Sequence, residues 1–367
     1  MKNYFILLFL LTSLVACKKT EPSYFTPGEL WADNNGTHIN AHGGGILYEN
    51  GTYYWFGEHK TEGDNGNVAN VGVHVYSSTD LHNWKDEGIA LAVMPDGSGS
   101  DIERGCILER PKVIHNKKTG KYVMWFHLEP KGKGYSGALS GVAISDKVTG
   151  PYEFIEAIRP NPGVYPLNYS KEKIEELSQA EDYKDSSLEF FNRDFEDGQM
   201  ARDMTLFVDE DGKAYHIFAS EENRTLHIGL LNDEYTAHTG EYTRNFVDRS
   251  MEAPAIFKKD RKYYLMMSGC TGWSPNQARS AVAESILGEW TELGNPCIND
   301  STKTTFHSQS TYILPIEGKK DQFIYLGDRW TPENAIDGRY IWLPIQFKDD
   351  RFFIEWTNSW SMEDLAQ

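Results

Sequence analysis

Hydrophobic and polar positions follow the same order in five segments of the chain. Each segment has a polar residue, a short apolar run, a polar turn, and then an apolar run rich in aromatic residues. The five turns are Asn50-Gly51, Thr119-Gly120, Asp211-Gly212, Asp260-Arg261 and Glu317-Gly318. Two strand-like runs joined by a short turn of this kind indicate a β-hairpin. The pattern therefore predicts five β-hairpins.

Further short strand patterns follow the hairpins, for example "TLHIGLL" and "SAVAESILGEWTEL". The repeating unit therefore has about four strands, and units of this kind predict an all-β, five-bladed β-propeller. We place this domain at residues 30–367. The polar residues that lead the five segments are His42, Glu109, Asp203, Glu252 and Gln309.

The interval before Asp203 is long, and we attribute its length to an acidic insertion at about residues 160–200. Residues 171–197 alone carry ten acidic and four basic residues. Such a charge run is usually solvated, so we expect a surface insertion, and the sequence leaves its role open.

The N-terminus has the pattern of a targeting segment. A Lys and a short apolar run precede "LVAC", which is similar to a bacterial lipobox. We predict a signal peptide at residues 1–16, lipidation of Cys17 and a short tether at residues 17–29, because the apolar run is too short to span a bilayer. The protein would then be exported and lipid-anchored to a bacterial membrane, in the periplasm or at the cell surface. An ordinary secretory signal with an incidental Cys is the alternative.

Composition narrows the choice of partner. The formal net charge is −18 at pH 7, which argues against nucleic acid or an anionic membrane surface as a ligand. Cys106, Cys270 and Cys297 form at most one internal disulfide, and the sequence leaves the pairing open. No Cys or His spacing suggests a metal, so we expect no metal and no cofactor, and we expect a monomer.

The leading residues of a propeller's inner strands begin near one end of the central channel, so we expect the five to converge. Three of them are carboxylic acids, which would raise one another's pKa in a partly desolvated funnel. Paired carboxyl groups with separated pKa values are what acid–base chemistry on a sugar requires. Aromatic residues make up 13% of the chain and offer flat faces for sugar rings.

Eight segments, in order along the chain, resemble glycoside hydrolase family 43 and, within it, the exo-β-1,3-galactanase branch. They are "AHGGGILYENGTYYWFGE", "ERPKVI", "RDMTLFVDEDGKAY", "SEENRTLHI", "EAPAIF", "SGCTGW", "SQSTY" and "GDRW". The resemblance covers about residues 30–360. It implies a five-bladed propeller that cleaves the β-1,3-galactan backbone of plant arabinogalactan with inversion and releases galactose. A family arabinofuranosidase or β-xylosidase, or a non-catalytic glycan-binding surface lipoprotein, are the alternatives.

The resemblance also implies roles for individual residues. Glu252 would be the general acid, and Asp203 would modulate its pKa and position the substrate. The family's usual base, an Asp that opens the first blade, is missing, because "HGGGI" stands there. Gln309, Glu109 and His42 remain as candidates for activating water. The family sometimes holds Ca²⁺ in the channel, but no acidic loop has a calcium spacing here.

Five further residues are candidates for binding the sugar. Each has a structural alternative, such as a strand-end carboxylate, a turn residue or a packed core side chain. They are Glu58, Asn223, Thr271, Trp273 and Trp330.

Overall fold

The computed structural model describes residues 23–179 and 187–366. The predicted signal peptide, Cys17 and the first part of the predicted tether lie outside these described residues, as does the part of the predicted insertion at 180–186. No helix in the described ranges is long and apolar enough to cross a membrane.

The fold is an all-β, five-bladed propeller, as predicted. Four blades are antiparallel sheets of four strands in chain order, and the fifth sheet has an added parallel strand. Blade 1 has β2 (His42–Glu49), β3 (Thr52–Lys60), β4 (Asn70–Ser78) and β5 (Lys85–Ala92); blade 2 has β6 (Ile107–Asn116), β7 (Lys121–Glu129), β8 (Leu139–Ser145) and β9 (Glu153–Ile158); blade 3 has β10 (Met204–Val208), β11 (Ala214–Ser220), β12 (Thr225–Leu231) and β13 (His238–Asn245); blade 4 has β14 (Met251–Lys259), β15 (Lys262–Gly269), β16 (Arg279–Ala283) and β17 (Thr291–Gly294); blade 5 has β18 (Cys297–Ile298), β19 (Gln309–Pro315), β20 (Phe323–Arg329), β21 (Arg339–Lys348) and β22 (Arg351–Glu355).

All five predicted hairpins are present, and each predicted turn joins the two innermost strands of one blade. The first shows why the turn residues matter. Asn50 and Gly51 both have positive φ, 50° and 86°, the conformation that a two-residue turn between twisted strands requires. Each hairpin therefore begins at one end of the channel and turns at the other.

The two chain ends close the ring between blades 1 and 5. Tyr24–Phe25 (β1) pairs with Trp360–Ser361 (β23), and the rings of Phe25 and Trp360 stack with centroids 4.3 Å apart. Phe25 is only 3% exposed, so the predicted tether at 17–29 is too long at its C-terminal end. Phe25 packs into the hydrophobic core of the propeller. Residues 24–25 therefore belong to the domain.

The insertion departs from the expectation of a simple solvated segment. It contains two short helices, α1 (Lys171–Gln179) and α2 (Ser187–Arg193). Phe191 of α2 is fully buried and packs with Tyr165 and Phe195. One acidic residue of the segment, Asp194, is also buried and pairs with Arg159 at 3.1 Å. Part of the insertion is therefore packed into the fold.

The three cysteines of the described chain are free thiols. Cys106 and Cys297 are buried, whereas Cys270 is exposed. The single internal disulfide that the sequence allows among them is therefore not formed in this structure.

Candidate active site

The inner strands of three blades have the same irregularity directly after the leading residue. Gly43, Arg110 and Ala253 occupy the left-handed region, with φ of 60°, 57° and 53°, and the strand register shifts at each of these points. Such a bulge breaks the strict alternation of side chains along a strand and re-aims the residues beside it. In blade 2 it brings two consecutive side chains, Glu109 and Arg110, to the same cavity.

This cavity has a volume of about 450 Å³ and lies at the end of the channel where the inner strands begin. It brings together eight of the predicted site residues: Glu58, Glu109, Asp203, Asn223, Glu252, Trp273, Gln309 and Trp330. Sequence reasoning missed its other lining residues: Asn67, Arg110, His127, Tyr135, Arg202, Cys270 and Gly272. A larger cavity of about 920 Å³ lies at the opposite, hairpin-turn end of the channel. None of the five leading residues lines this larger cavity, whose walls come from the far ends of the inner strands. We therefore place the chemistry in the smaller cavity.

Glu252 has the properties of a proton donor. Burial raises the pKa of its carboxyl group to about 7, and the negative charge of Asp203 adds to the effect. Gln309 Nε2 donates to Glu252 Oε1 at 2.9 Å, and Asn223 Nδ2 donates to Oε2 at 3.2 Å. A carboxyl group of this pKa is protonated at mildly acidic pH and can transfer a proton there.

Asp203 is fixed close to the acid. Its Oδ2 accepts from the backbone N–H of Ala253, the residue after Glu252, at 3.1 Å. The same oxygen lies 2.9 Å from Arg110 Nη2. Asp203 is thus held as a charged neighbour of Glu252, in the position that a pKa modulator needs.

Arg110 links the parts of the site, although nothing in the sequence pattern marked it. Besides Asp203, its guanidinium donates to Gln309 Oε1 and to the carbonyl of Ser310, and it lies 5.8 Å from the ring centre of Trp330. On a regular strand its side chain would point away from that of Glu109. Only the bulge, which the hydrophobic pattern does not reveal, puts both in the cavity.

Gln309 is held in one amide orientation. Arginine only donates hydrogen bonds, so the atom that faces Arg110 must be the carbonyl oxygen. The amide nitrogen then faces Glu252 Oε1 and Ser268 Oγ, each at 2.9 Å. Gln309 therefore contacts Glu252 directly.

Glu109 does not follow the expectation that clustered carboxyl groups raise one another's pKa. Burial alone would raise its pKa, but hydrogen bonding and charge from His127 outweigh burial and lower it to about 2. His127 lies 3.0 Å from Glu109 and 2.9 Å from Glu129, and these two partners raise its own pKa to about 9. Tyr135 also donates to Glu109 at 2.9 Å.

Two of the predicted residues lie outside the cavity. His42 is completely buried, burial lowers its pKa to about 3, and its ring packs against Trp330 and Tyr340. A base behind the wall of the cavity cannot reach water at the sugar, so we discard it as a candidate. The Thr271 hydroxyl donates to the carbonyl of Ser274 and accepts from Asn276 within its own loop, and Thr271 does not line the cavity.

Glu58 occupies the space left by the glycines of the first blade. Its Oε1 accepts from the N–H of Arg110 at 2.9 Å, and Oε2 pairs with Lys60 at 2.9 Å. A Cβ atom built on Gly43 would lie 2.2 Å from Glu58 Oε1. A side chain at that position and the present placement of Glu58 therefore exclude each other.

Two tryptophans form an aromatic wall. The rings of Trp273 and Trp330 meet edge to face, with centroids 5.6 Å apart. Trp273 is 43% exposed, which is unusual for so large an apolar side chain. It offers an open face at the mouth, whereas Trp330 also packs on His42.

A carboxyl group of raised pKa, a second carboxyl group beside it, further polar side chains and an aromatic wall are the features expected of a glycoside hydrolase site on a propeller. The chain matches the profile "Glycosyl hydrolases family 43" over residues 189–359. It is 53% identical to a family 43 β-1,3-galactosidase solved with galactodeoxynojirimycin, with 92% of this chain and 100% of the other covered and a TM-score of 0.86. The chain belongs to glycoside hydrolase family 43 and is a glycoside hydrolase.

Two further solved structures are similar over nearly the whole chain. An exo-β-1,3-galactanase from Phanerochaete chrysosporium, solved with β-1,3-galactotriose, is 31% identical, with 93% of this chain and 68% of the other covered and a TM-score of 0.77. An exo-β-1,3-galactanase from Clostridium thermocellum is 34% identical, with 92% and 66% covered and a TM-score of 0.76. The search of curated proteins returned no match.

Proposed function

We propose that the protein is an inverting exo-β-1,3-galactanase that releases galactose from the β-1,3-galactan backbone of plant arabinogalactan. The observation that carries the proposal is Glu252, a carboxyl group of pKa about 7 beside the charged Asp203. The relatives support the choice of sugar, since they are β-1,3-galactosidases and exo-β-1,3-galactanases. An arabinofuranosidase, a β-xylosidase or a non-catalytic binder receives no such support.

The residues divide the reaction among them. Terminal galactose lies against the exposed face of Trp273, and Glu252 protonates the oxygen of the glycosidic bond as it breaks. Asp203 raises the pKa of Glu252, and Arg110, which is paired with Asp203, lowers it. Glu58, Glu109 and Asn223 bind sugar hydroxyls. The two carboxylates accept hydrogen bonds from the hydroxyls, whereas the Asn223 amide can both donate and accept.

The shape of the cavity mouth favours attack at a chain end. The loop between β3 and β4 is tied to blade 5, because Gly63 N–H donates to Asn334 Oδ1 and Ala335 N–H donates to the carbonyl of Gly63, both at 2.9 Å. On the other side, Asn67 of the same loop donates to Tyr135 of blade 2. This loop is joined to blades 2 and 5 and walls one side of the cavity. The galactan backbone can therefore enter the cavity by its terminal sugar.

The expected result is release of galactose from β-1,3-galactan, with the α-anomer formed first because the β-linkage is inverted. Proton NMR during the first minutes of reaction measures this. β-1,4-Galactan serves as the linkage control, and aryl arabinofuranosides and xylosides test the other family activities. Binding of galactan without cleavage would identify a glycan-binding lipoprotein instead.

The site needs no metal for its charge balance. Glu109, His127 and Asp203 place ligand atoms within 4.8 Å of one another, but Glu109 is paired with His127 and Asp203 with Arg110. We therefore propose acid–base catalysis by the protein's own side chains, without a metal or cofactor.

We also propose that the protein is exported and anchored by a lipid on Cys17. Replacement of Cys17 with Ser should move the protein from the membrane fraction to the soluble fraction of the producing bacterium, with galactanase activity per molecule unchanged. Fractionation followed by immunoblotting measures this, and Lys18→Ala serves as the neighbouring control that keeps the thiol. A Cys17→Ser protein that stays in the membrane fraction would contradict the anchor.

A further inference from the structure

A short loop between β11 and β12 has an unusual backbone. Glu221, Glu222 and Asn223 are three consecutive residues in the left-handed region, with φ of 55°, 57° and 64°. Residues other than glycine adopt this region at a cost, and such strain persists only where surrounding contacts impose it. The contacts of this loop therefore show what holds it.

The loop delivers Asn223 to the acid. Asn223 Nδ2 donates to Glu252 Oε2 at 3.2 Å, and its backbone carbonyl lies 3.8 Å from Cys270 Sγ. Asn223 Oδ1 is buried and has no hydrogen-bond partner among the described residues. One amide thus contacts the general acid and leaves an acceptor for a sugar hydroxyl.

Glu221 anchors the loop to the strands of blade 3. Its carboxylate is fully buried and accepts from Arg244 Nε at 2.6 Å, from His227 Nε2 at 2.9 Å and from Thr225 Oγ1 at 2.7 Å. Arg244 Nη2 also donates to it, so the pair is bidentate. A buried carboxylate with this many donors has little freedom to move.

The insertion in turn holds Arg244. Tyr169 OH accepts from Arg244 Nη1 at 2.6 Å, and the ring of Phe191 lies under the guanidinium with its centroid 5.3 Å away. Asn168 bonds to both the N–H and the carbonyl of Arg244, at 3.1 and 2.8 Å. All three partners of Arg244 belong to residues 160–200, the segment that the charge pattern predicted to be a solvated insertion.

The second loop residue has its own link to the insertion. Glu222 accepts from Arg193 of α2 at 3.3 Å and from Arg202, which lines the cavity. The insertion therefore reaches the loop from two sides, through Arg244 to Glu221 and through Arg193 to Glu222.

We propose that the insertion at residues 160–200 is a positioning element for the catalytic acid, because it fixes the 221–223 loop and thereby sets the contact between Asn223 and Glu252. The proposal rests on the proposed function, in which Glu252 is the acid. Residues 168, 169, 191 and 193 are positioning residues, since they act through Arg244 and Glu222 and touch no reacting atom.

The test uses Phe191→Ala in the full-length protein. Loosening the loop should lower kcat on galactan about tenfold, since small misplacements of catalytic groups have large effects on rate. It should also shift the basic limb of the pH profile to higher pH. A donor to a carboxylate stabilises its charged form, so losing the Asn223 donor raises the pKa of Glu252 and keeps the acid protonated further into the alkaline range. Lys173→Ala, which breaks an ion pair on the outer face of α1, should change neither quantity.

A double-mutant cycle separates positioning from simple support of the fold. In an Asn223→Ala background, Phe191→Ala should leave kcat and the basic limb unchanged, while it lowers Tm as much as in the wild type. An equal loss of kcat in both backgrounds, or a Tm loss with unchanged kinetics, overturns the proposal. If Phe191→Ala does not fold, Tyr169→Phe removes a single hydroxyl and should produce the same coupled change at smaller size.

The proposed function is tested separately by galactose release from the unmodified protein. An active wild type with insertion variants that behave like it refutes the positioning role alone, whereas an inactive wild type refutes the function.

Discussion

Replacement of Glu252 with Gln should lower hydrolysis of β-1,3-galactan at least about a hundredfold, the usual scale of general-acid catalysis. The amide keeps the size of the side chain, and its oxygen can still accept from Gln309. Its NH2 group can meet Asn223 only if the Asn223 amide turns over and presents its oxygen. The new side chain has no proton to transfer. An aryl galactoside with a good leaving group needs little protonation, so it should lose far less. Steady-state kcat/KM on the two substrates measures the difference.

The pH profile provides the second measurement. The acid must be protonated to act, and its pKa is about 7, so kcat/KM of the wild type should fall as pH rises through about 7. Glu252→Gln should abolish this basic limb on the aryl substrate. Glu284→Gln, the same change at an 80% exposed side chain of blade 4, should alter neither rate nor profile. Equal losses on both substrates, or an unchanged basic limb, would show that the proton comes from another group.

The architecture was predictable because its sequence signals are local and repeated. A turn such as Asn50-Gly51 between two apolar runs specifies a hairpin without reference to the rest of the chain. Five copies then require a closed ring, and the ring places Glu109, Glu252 and Gln309 at one end of the channel. Convergence follows from topology, and it needed no knowledge of side-chain contacts.

The charge network was not predictable, because it depends on backbone irregularities and on distant contacts. Arg110 follows Glu109 in sequence, and only the left-handed bulge turns both into the cavity. The low pKa of Glu109 comes from His127, a residue of the neighbouring strand that the pattern treats as an ordinary strand position. His42 led its segment as the others did, yet without a partner in the cavity it packs into the core.

The acidic insertion illustrates a different limit. Its composition suggested a solvated segment, and charge counts alone support that description. Its contacts with blade 3 come from single side chains, among them Phe191 against Arg244 and Arg193 against Glu222. Composition averages over a segment, whereas packing depends on single residues.

The remaining question is which group delivers water on the face opposite Glu252, and the structure narrows it to Gln309 and Glu109. Glu109 is a carboxylate, but a pKa of about 2 makes it a weak base at the working pH. Gln309 is fixed by Arg110, yet its amide rests on Glu252 at 2.9 Å. Inverting enzymes keep their two carboxyl groups about 6.5–9.5 Å apart to leave room for the attacking water. By analogy, Gln309 would have to move away from Glu252 when sugar binds before it could hold that water. We propose that it does so.

Gln309→Ala should then lower turnover at least about a hundredfold on galactan and on aryl galactosides alike, because the defect lies in nucleophile delivery. Azide should restore part of the rate and yield α-galactosyl azide, which product analysis detects. Glu109→Ala should mainly raise KM and should not respond to azide. The reverse pattern, azide rescue of Glu109→Ala alone, would assign the base to the carboxylate.

In that reverse case Gln309 would serve only to hold the acid, and its loss has a distinct consequence. The hydrogen bond from Gln309 lowers the pKa of Glu252, so Gln309→Ala would move the basic limb of kcat/KM to higher pH and spare activated substrates. A water-holding role predicts equal losses on all leaving groups instead. The leaving-group dependence and the azide product therefore test the two roles independently, and they must agree for either assignment to stand.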